Sequence, residues 1–178
     1  MTHKDPWGRT SDVEVISYAT NERALGQVLV ARSTSGVCAV LLGADDEGLV
    51  TDLTGRFPKA NLVANEDAVH DDLAKVVRFV EKPSRGLDLT LDLRGTPFQR
   101  RVWDTLRAIP AGVTITYGEL ARSIGEPNSV RAVAAACASN PIALAVPCHR
   151  VVGSNGDLTG YRWGIERKRG LLEREAAA

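Results

Sequence analysis

The densest chemistry in the chain lies at Pro147-Cys148-His149-Arg150-Val151. A thiol becomes a nucleophile when a base or positive charge favours its thiolate, and Cys148 is followed at once by an imidazole and a guanidinium. Adjacent residues on an extended chain point to opposite faces. A direct Cys148–His149 bond would therefore be awkward, and a bridging water or a sharp turn would have to link them. A Cys-His pair alone is more often a buried thiol beside a surface histidine. The other cysteines, Cys38 and Cys137, make an odd total of three at spacings that fit neither a disulfide framework nor a zinc site. Reduced thiols, a cytoplasmic location and no bound metal are expected.

Several elements must position this segment. Thr96-Pro97 caps a helix that buries Phe98, Val102, Leu106 and Ile109. After Pro110-Ala111-Gly112, a short helix over 117–124 places Tyr117, Leu120, Ala121 and Ile124 on one stripe. Gly125 ends it, and a second helix follows near 129–138. Two short helices across a tight turn predict a helix-turn-helix. The second is rich in alanine, and Arg131 is its one long base-reaching side chain. Such a helix suits either a core or close, sequence-independent approach to a nucleic-acid backbone. Residues 165–175 predict a closing helix with Lys168, Leu172 and Glu175 on one face. Gly153-Ser154-Asn155-Gly156 predicts a hairpin turn and a wing beside Tyr161.

The first half reads differently. Alternating and buried runs at 13–18, 26–32 and 36–43 predict an antiparallel meander. Helices are expected over 45–57, stopped by Pro58, and over 67–81, with Val69, Leu73, Val76, Val77 and Val80 facing inward. Pro83 to Asp88 is the candidate linker, dividing an α/β lobe at 1–88 from a second lobe at 89–178. The net charge of zero hides an asymmetry. Residues 1–93 carry 10 Lys and Arg against 15 Asp and Glu, whereas residues 94–178 carry 12 against 7. A basic half is a weak pointer to nucleic acid, and chance explains it equally well. No apolar run is long enough for a membrane span, and Met1–Asp12 has no secretory-leader pattern.

The pentapeptide, preceded by Asn140-Pro141, resembles the active-site signature of the O6-alkylguanine-DNA alkyltransferases. The likeness runs from about Leu93 to Glu175, and the first half is similar to the lobe that precedes the signature in adaptive-response members. The resemblance implies an α+β fold: an RNase H-like sheet with flanking helices, then a mostly helical, winged-helix-like lobe. It implies that Cys148 accepts an alkyl group from O6 of guanine, and also from O4 of thymine, in double-stranded DNA. His149 would deprotonate Cys148 through a water, Glu175 would orient His149, and Tyr117 would bond the flipped base. Arg131 would fill the vacated stack, with Ser129, Ala132 and Ser154 near the DNA and Asn140 as a hinge. Val151, Tyr161, Arg162, Trp163 and Lys168 would form or flank the guanine pocket. Trp163 would fill space that a benzyl ring needs, and Ala143 would offer such a ring less stacking surface than a proline, favouring methyl over benzyl. The thioether product has no easy leaving group, so one protein repairs one lesion, as a monomer and without a cofactor. A non-catalytic DNA-binding module and a Cys-His-Glu hydrolase are the rival readings.

Overall fold

The computed structural model describes residues 12–178, together with the backbone of His3–Lys4 paired to Thr10–Ser11. The leader expectation for Met1–Asp12 therefore falls almost wholly outside the described residues. Strands β1 (Val15–Arg23), β2 (Gly26–Arg32) and β3 (Val37–Gly43) form the expected meander. Residues 37–42 of β3 are all buried, which explains their unbroken apolar run. Each such Val or Leu contributes roughly 1.5–3 kcal/mol by leaving water.

Helix α1 (Asp46–Arg56) starts where the Asp45 side chain accepts from the Gly48 N–H, and it packs on β2 and β3. Helix α2 (Glu66–Glu81), capped by Asn65, lays Val69, Leu73, Val76 and Val80 on the sheet; Val77 is only half-buried. Between them lies a strand the periodicity does not reveal, β4 (Asn61–Ala64). It pairs parallel with β1, giving the order β3-β2-β1-β4. The sheet is thus mixed rather than antiparallel. Helix α1 carries the chain from one edge to the other, and a crossover of that kind returns the strand parallel.

The second half begins with α3 (Pro97–Arg107), closed by a capping box between Thr96 and Gln99. Its core side includes Trp103, whose indole N–H donates to the Ala136 carbonyl at 2.8 Å. Then come β5 (Ile115–Thr116), α4 (Tyr117–Ser123, with a second capping box from Thr116 and Glu119) and α5 (Val130–Ala138). Cys148–Arg150 forms one turn of 3₁₀ helix leading into β6 (Val151–Val152). That sharp turn, rather than an extended strand, carries the cysteine.

Strand β6 pairs parallel with β5. The expected hairpin wing is absent: residues 153–157 close a turn, with the Gly153 N–H donating to the Asp157 carbonyl at 2.8 Å, but no strand follows to complete a ladder. The chain ends on α6 (Ile165–Ala176).

One continuous hydrophobic cluster runs through both halves. Strand β3 is also stitched to later segments, by Val37 N–H to the Thr90 carbonyl at 2.8 Å and by Ala143 N–H to the Val40 carbonyl at 2.9 Å. The Asn140–Val146 segment that precedes the cysteine is thereby held against the sheet.

Candidate active site

Cys148 lines a cavity of about 400 Å³ with a mainly apolar wall. Helix α5 supplies one side through Val130, Arg131, Ala134, Cys137 and Ala138, positions that recur at helical spacing. Tyr117, the first residue of α4, and the segment 159–162 supply the other. The Tyr117 hydroxyl donates to the Thr159 carbonyl at 3.2 Å, closing the ring. Burial raises the Tyr117 pKa to about 12, so it remains a proton donor at neutral pH.

Asn140 is completely buried and makes three bonds. Its Oδ1 accepts the Ile142 N–H at 2.9 Å, and its Nδ2 donates to the Val146 carbonyl at 2.8 Å and to Cys148 Sγ at 3.3 Å. It therefore braces the turn, as a hinge would, and also aims a donor at the sulfur. Burial raises the Cys148 pKa to about 11; Asn140 and the nearby Lys168 ammonium oppose this without overcoming it. The resting thiol is protonated.

The two residues after the thiol belong to a charged network. Glu175 Oε1 lies 2.7 Å from His149 Nε2, and both side chains are fully buried. Arg150 donates from Nε and from a terminal nitrogen to the same carboxylate, the closer contact at 2.7 Å, and also to the Ile109 carbonyl at 2.6 Å. The backbone N–H of Gly112 adds a contact to Glu175 at 3.3 Å. Burial works against the Glu175 anion, but the bonds from His149 and Arg150 prevail and hold its pKa at about 2. An ionised Glu175 accepts from Nε2, so the proton of a neutral His149 sits on Nε2 and the buried Nδ1 keeps its lone pair as a base. Burial lowers the His149 pKa and keeps it neutral. Nδ1 has no protein partner among the described residues.

This geometry revises the sequence reading of Arg150. Its charge neutralises Glu175 instead of stabilising a thiolate, because the 3₁₀ turn directs it toward α6. Adjacent letters hid that partner, which lies 25 residues away.

Lys168 is fully buried on α6, with Nζ donating to the carbonyls of Val151 at 2.5 Å and Gly160 at 3.2 Å. It ties the turn after Cys148 to the cavity segment 159–162. Arg162 lines the cavity, and its guanidinium reaches Asp52 of α1 at 3.1 Å. Tyr161 lines the cavity with its hydroxyl buried and without a partner among the described residues. Three expected pocket residues, Lys168, Val151 and Trp163, do not line it. Val151 is buried behind the turn, and Trp163 packs edge-on against Tyr161 at a centroid distance of 5.4 Å, facing a separate cavity beside α1. Ala143 is likewise buried on the sheet side, where its N–H is used by Val40. Trp163 therefore does not fill the cavity, and Ala143 contributes no surface to it.

The outer residues lie as follows. Arg131 is exposed at the cavity mouth, Ala132 beside it is exposed, and Ser129 sits half-buried at the N-cap of α5 without a capping bond from its side chain. Ser154 is exposed in the 153–157 turn. Three features were missed from sequence: the Asn140 bond to sulfur, the Arg150–Glu175 pair and Cys137 on the cavity wall. Only the last had a local signal, since Cys137 falls three residues after Ala134 on the inner stripe of α5.

A family model described as "6-O-methylguanine DNA methyltransferase, DNA binding domain" matches residues 97–177. The bifunctional transcriptional activator/DNA repair enzyme Ada of Escherichia coli is 47% identical over 161 residues, 90% of this chain and 46% of Ada. The chain thus spans about half the length of that curated relative. The inducible methylated-DNA–protein-cysteine methyltransferase of Bacillus subtilis is 42% identical over 123 residues, 69% of each chain. Among solved structures, the Mycobacterium tuberculosis O6-methylguanine methyltransferase matches with a TM-score of 0.70 and 36% identity, covering 91% of this chain and 93% of that one. The M. tuberculosis protein in complex with DNA gives a TM-score of 0.71 at 36% identity, covering 90% and 93%. With the cysteine, its buried histidine–glutamate pair and the matching fold together, the chain belongs to the O6-methylguanine-DNA methyltransferase family.

Proposed function

We propose that this protein repairs alkylated double-stranded DNA by moving an alkyl group from O6 of guanine, and from O4 of thymine, onto its own Cys148, once and irreversibly. The observation that carries this reading is a buried thiol opening onto a base-sized apolar cavity, followed in the chain by a histidine that Glu175 holds with its Nδ1 lone pair unpartnered. The family relatives, named for cysteine methyl transfer and, in one case, bound to DNA, support the same reading.

The alkyl carbon on O6 is shielded in a stacked duplex, so the nucleotide must rotate out, at a cost of a few kcal/mol. Arg131, exposed at the cavity mouth, would enter the gap. The small residues of α5 would let that helix approach the backbone closely and read little sequence. Inside the cavity the Tyr117 hydroxyl would exchange its Thr159 carbonyl for the base and balance charge as guanine leaves.

The Cys148 proton would pass through a water to His149 Nδ1, and Glu175 would stabilise the imidazolium from the other nitrogen. The thiolate then attacks the alkyl carbon. A sulfur–carbon bond forms, the carbon–oxygen bond breaks with its electron pair going to guanine, and the purine is protonated. The resting pKa of about 11 favours this order, because the thiol gives up its proton only when a substrate is in place.

A hydrolase would need water to displace Cys148 from the transferred carbon, and a thiolate is a poor leaving group from a saturated alkyl carbon. A monomer acting without a cofactor in the cytoplasm is part of the proposal; no helix among the described residues is long and apolar enough to cross a membrane. The test is titration of a duplex holding one O6-methylguanine with increasing protein. Lesion loss should plateau at one per protein molecule, with ordinary guanine restored. Repeated turnover would favour an enzyme of another kind, and binding without lesion loss would favour the DNA-binding module.

A further inference from the structure

Two sulfurs line the cavity, and the transfer chemistry uses one. Cys137 lies on the inner face of α5, in the same wall as Cys148. The two residues are 5% and 6% exposed. Both are free thiols, and the Lys168 ammonium acts on each of them. Cys38, the third cysteine, is buried elsewhere and does not border the cavity. Once Cys148 carries an alkyl chain, that chain lies in a mainly apolar cavity in which Cys137 is the remaining sulfur nucleophile. A simple methyl gives Cys137 nothing to attack. A chain with a second leaving group does.

We propose that Cys137 is a second acceptor, which captures the far carbon of a β-haloalkyl group after Cys148 has taken that group from guanine O6. The inference rests on the alkyl-transfer reading of Cys148, and it names bifunctional alkyl lesions as a substrate class with a distinct end product.

In the first step Cys148 sulfur bonds to the near carbon, the bond to O6 breaks, and guanine leaves with the electron pair. The product is a 2-chloroethyl thioether. Its sulfur lone pair then expels chloride and closes a three-membered sulfonium ring. Cys137 sulfur opens that ring at carbon, its proton passes to water, and Cys148 returns to a neutral thioether. The two residues end joined through two carbons, with chloride and a proton released and no oxidant or further reagent consumed.

Burial keeps the Cys137 thiol protonated. Capture does not require its thiolate, because a sulfonium ring is a strong electrophile and Cys137 borders the same cavity. Effective molarities in well-oriented intramolecular reactions are on the order of 10⁵ M or more. Capture also has a use: an open sulfonium at the cavity mouth would attack DNA and join protein to strand, whereas a bridge to Cys137 ends the sequence inside the protein.

The experiment mixes the full chain with a duplex carrying freshly prepared O6-(2-chloroethyl)guanine, alongside a control duplex with O6-methylguanine, and digests with trypsin. Cleavage after Arg131 and Arg150 releases both cysteines in one peptide, residues 132–150. The expected peptide gains C₂H₂, retains no chlorine, resists thiol blocking at both cysteines and gives few backbone fragments between them. Among alkylated molecules, the bridged form should fall from the majority in wild type to none in Cys137→Ser and Cys137→Ala. A hydroxyethyl thioether on Cys148 and DNA–protein crosslinks should replace it.

A wild-type product with hydroxyethyl on Cys148 and a free Cys137 overturns the inference and leaves the transfer reading standing. Bridging that persists in the Cys137 variants also overturns it. No adduct on Cys148 from either duplex overturns the transfer reading and this inference with it.

Discussion

Replacing Glu175 by Gln removes one charge and almost no volume. The carboxylate it replaces is fully buried and holds His149 at 2.7 Å, Arg150 through a closest contact of 2.7 Å, and the Gly112 N–H at 3.3 Å. The amide keeps one acceptor oxygen but turns an NH₂ toward either the imidazole or the guanidinium. Arg150, 8% exposed at its side chain, is left as a buried cation without a counter-charge. Breaking a buried pair in this way costs about 3–5 kcal/mol.

The pKa displacement gives an independent figure. A fall from 4.5 to about 2 corresponds, at about 1.4 kcal/mol for each pH unit, to roughly 3 kcal/mol. For a chain of this size, 3–5 kcal/mol lowers the melting temperature by roughly 6–20 °C. Because the folded-state pKa is depressed, the contribution is complete above about pH 4.5 and is lost as pH falls toward 2. Melting of wild type and Glu175→Gln should therefore differ by a constant amount at neutral pH and converge in acid. Urea titration at pH 7 supplies the free-energy difference. A difference below 1 kcal/mol at pH 7, or one that widens in acid, would refute this account of the network.

Three further outcomes follow from the site. Arg131→Ala should slow repair of duplex DNA far more than reaction with the free base O6-methylguanine, since only the duplex needs its stack refilled; equal losses in the two rates would remove the finger role. Asn140→Ala should orphan the Ile142 N–H at about 1–3 kcal/mol, leave the Val146 carbonyl with only the Cys148 N–H at 2.8 Å, and shift the pH–rate profile of transfer upward as the thiol loses a donor; an unchanged profile would reduce Asn140 to a brace. Trp163→Gly should destabilise the fold by about 3–5 kcal/mol without speeding reaction with O6-benzylguanine, because the indole packs behind Tyr161; a faster benzyl reaction would restore the narrowing that the sequence suggested.

The helix-turn-helix and its leading helix were legible because their signals are local. Thr96 and Thr116 each sit three residues before the Gln99 or Glu119 that completes a capping box, and Gly125 stops α4 with a positive φ of 76°. Strand β4 was not legible, because four residues with one inward side chain, Leu62, show no period. The pairing of α6 with the 3₁₀ turn was half legible. Lys168 and Glu175 could be put on one face from their spacing, but periodicity names a face and not what it meets. Arg150 and His149 converge on Glu175 only because the chain tightens at Cys148, and nothing in the letters around Pro147 marks that turn. Trp163 shows the opposite error, a position assigned by likeness whose ring direction depends on packing against Tyr161.

The claim at the centre of the account is that one atom, Cys148 Sγ, keeps the alkyl group. Its most direct test is intact-mass and peptide analysis of the protein after reaction with duplex O6-methylguanine, beside Cys148→Ser as control. The account predicts a single added methylene mass, located on Cys148, with Cys38 and Cys137 unmodified, and a Cys148→Ser protein that still binds DNA but gains nothing. Methyl found on another residue, or methylated Cys148→Ser, would contradict it.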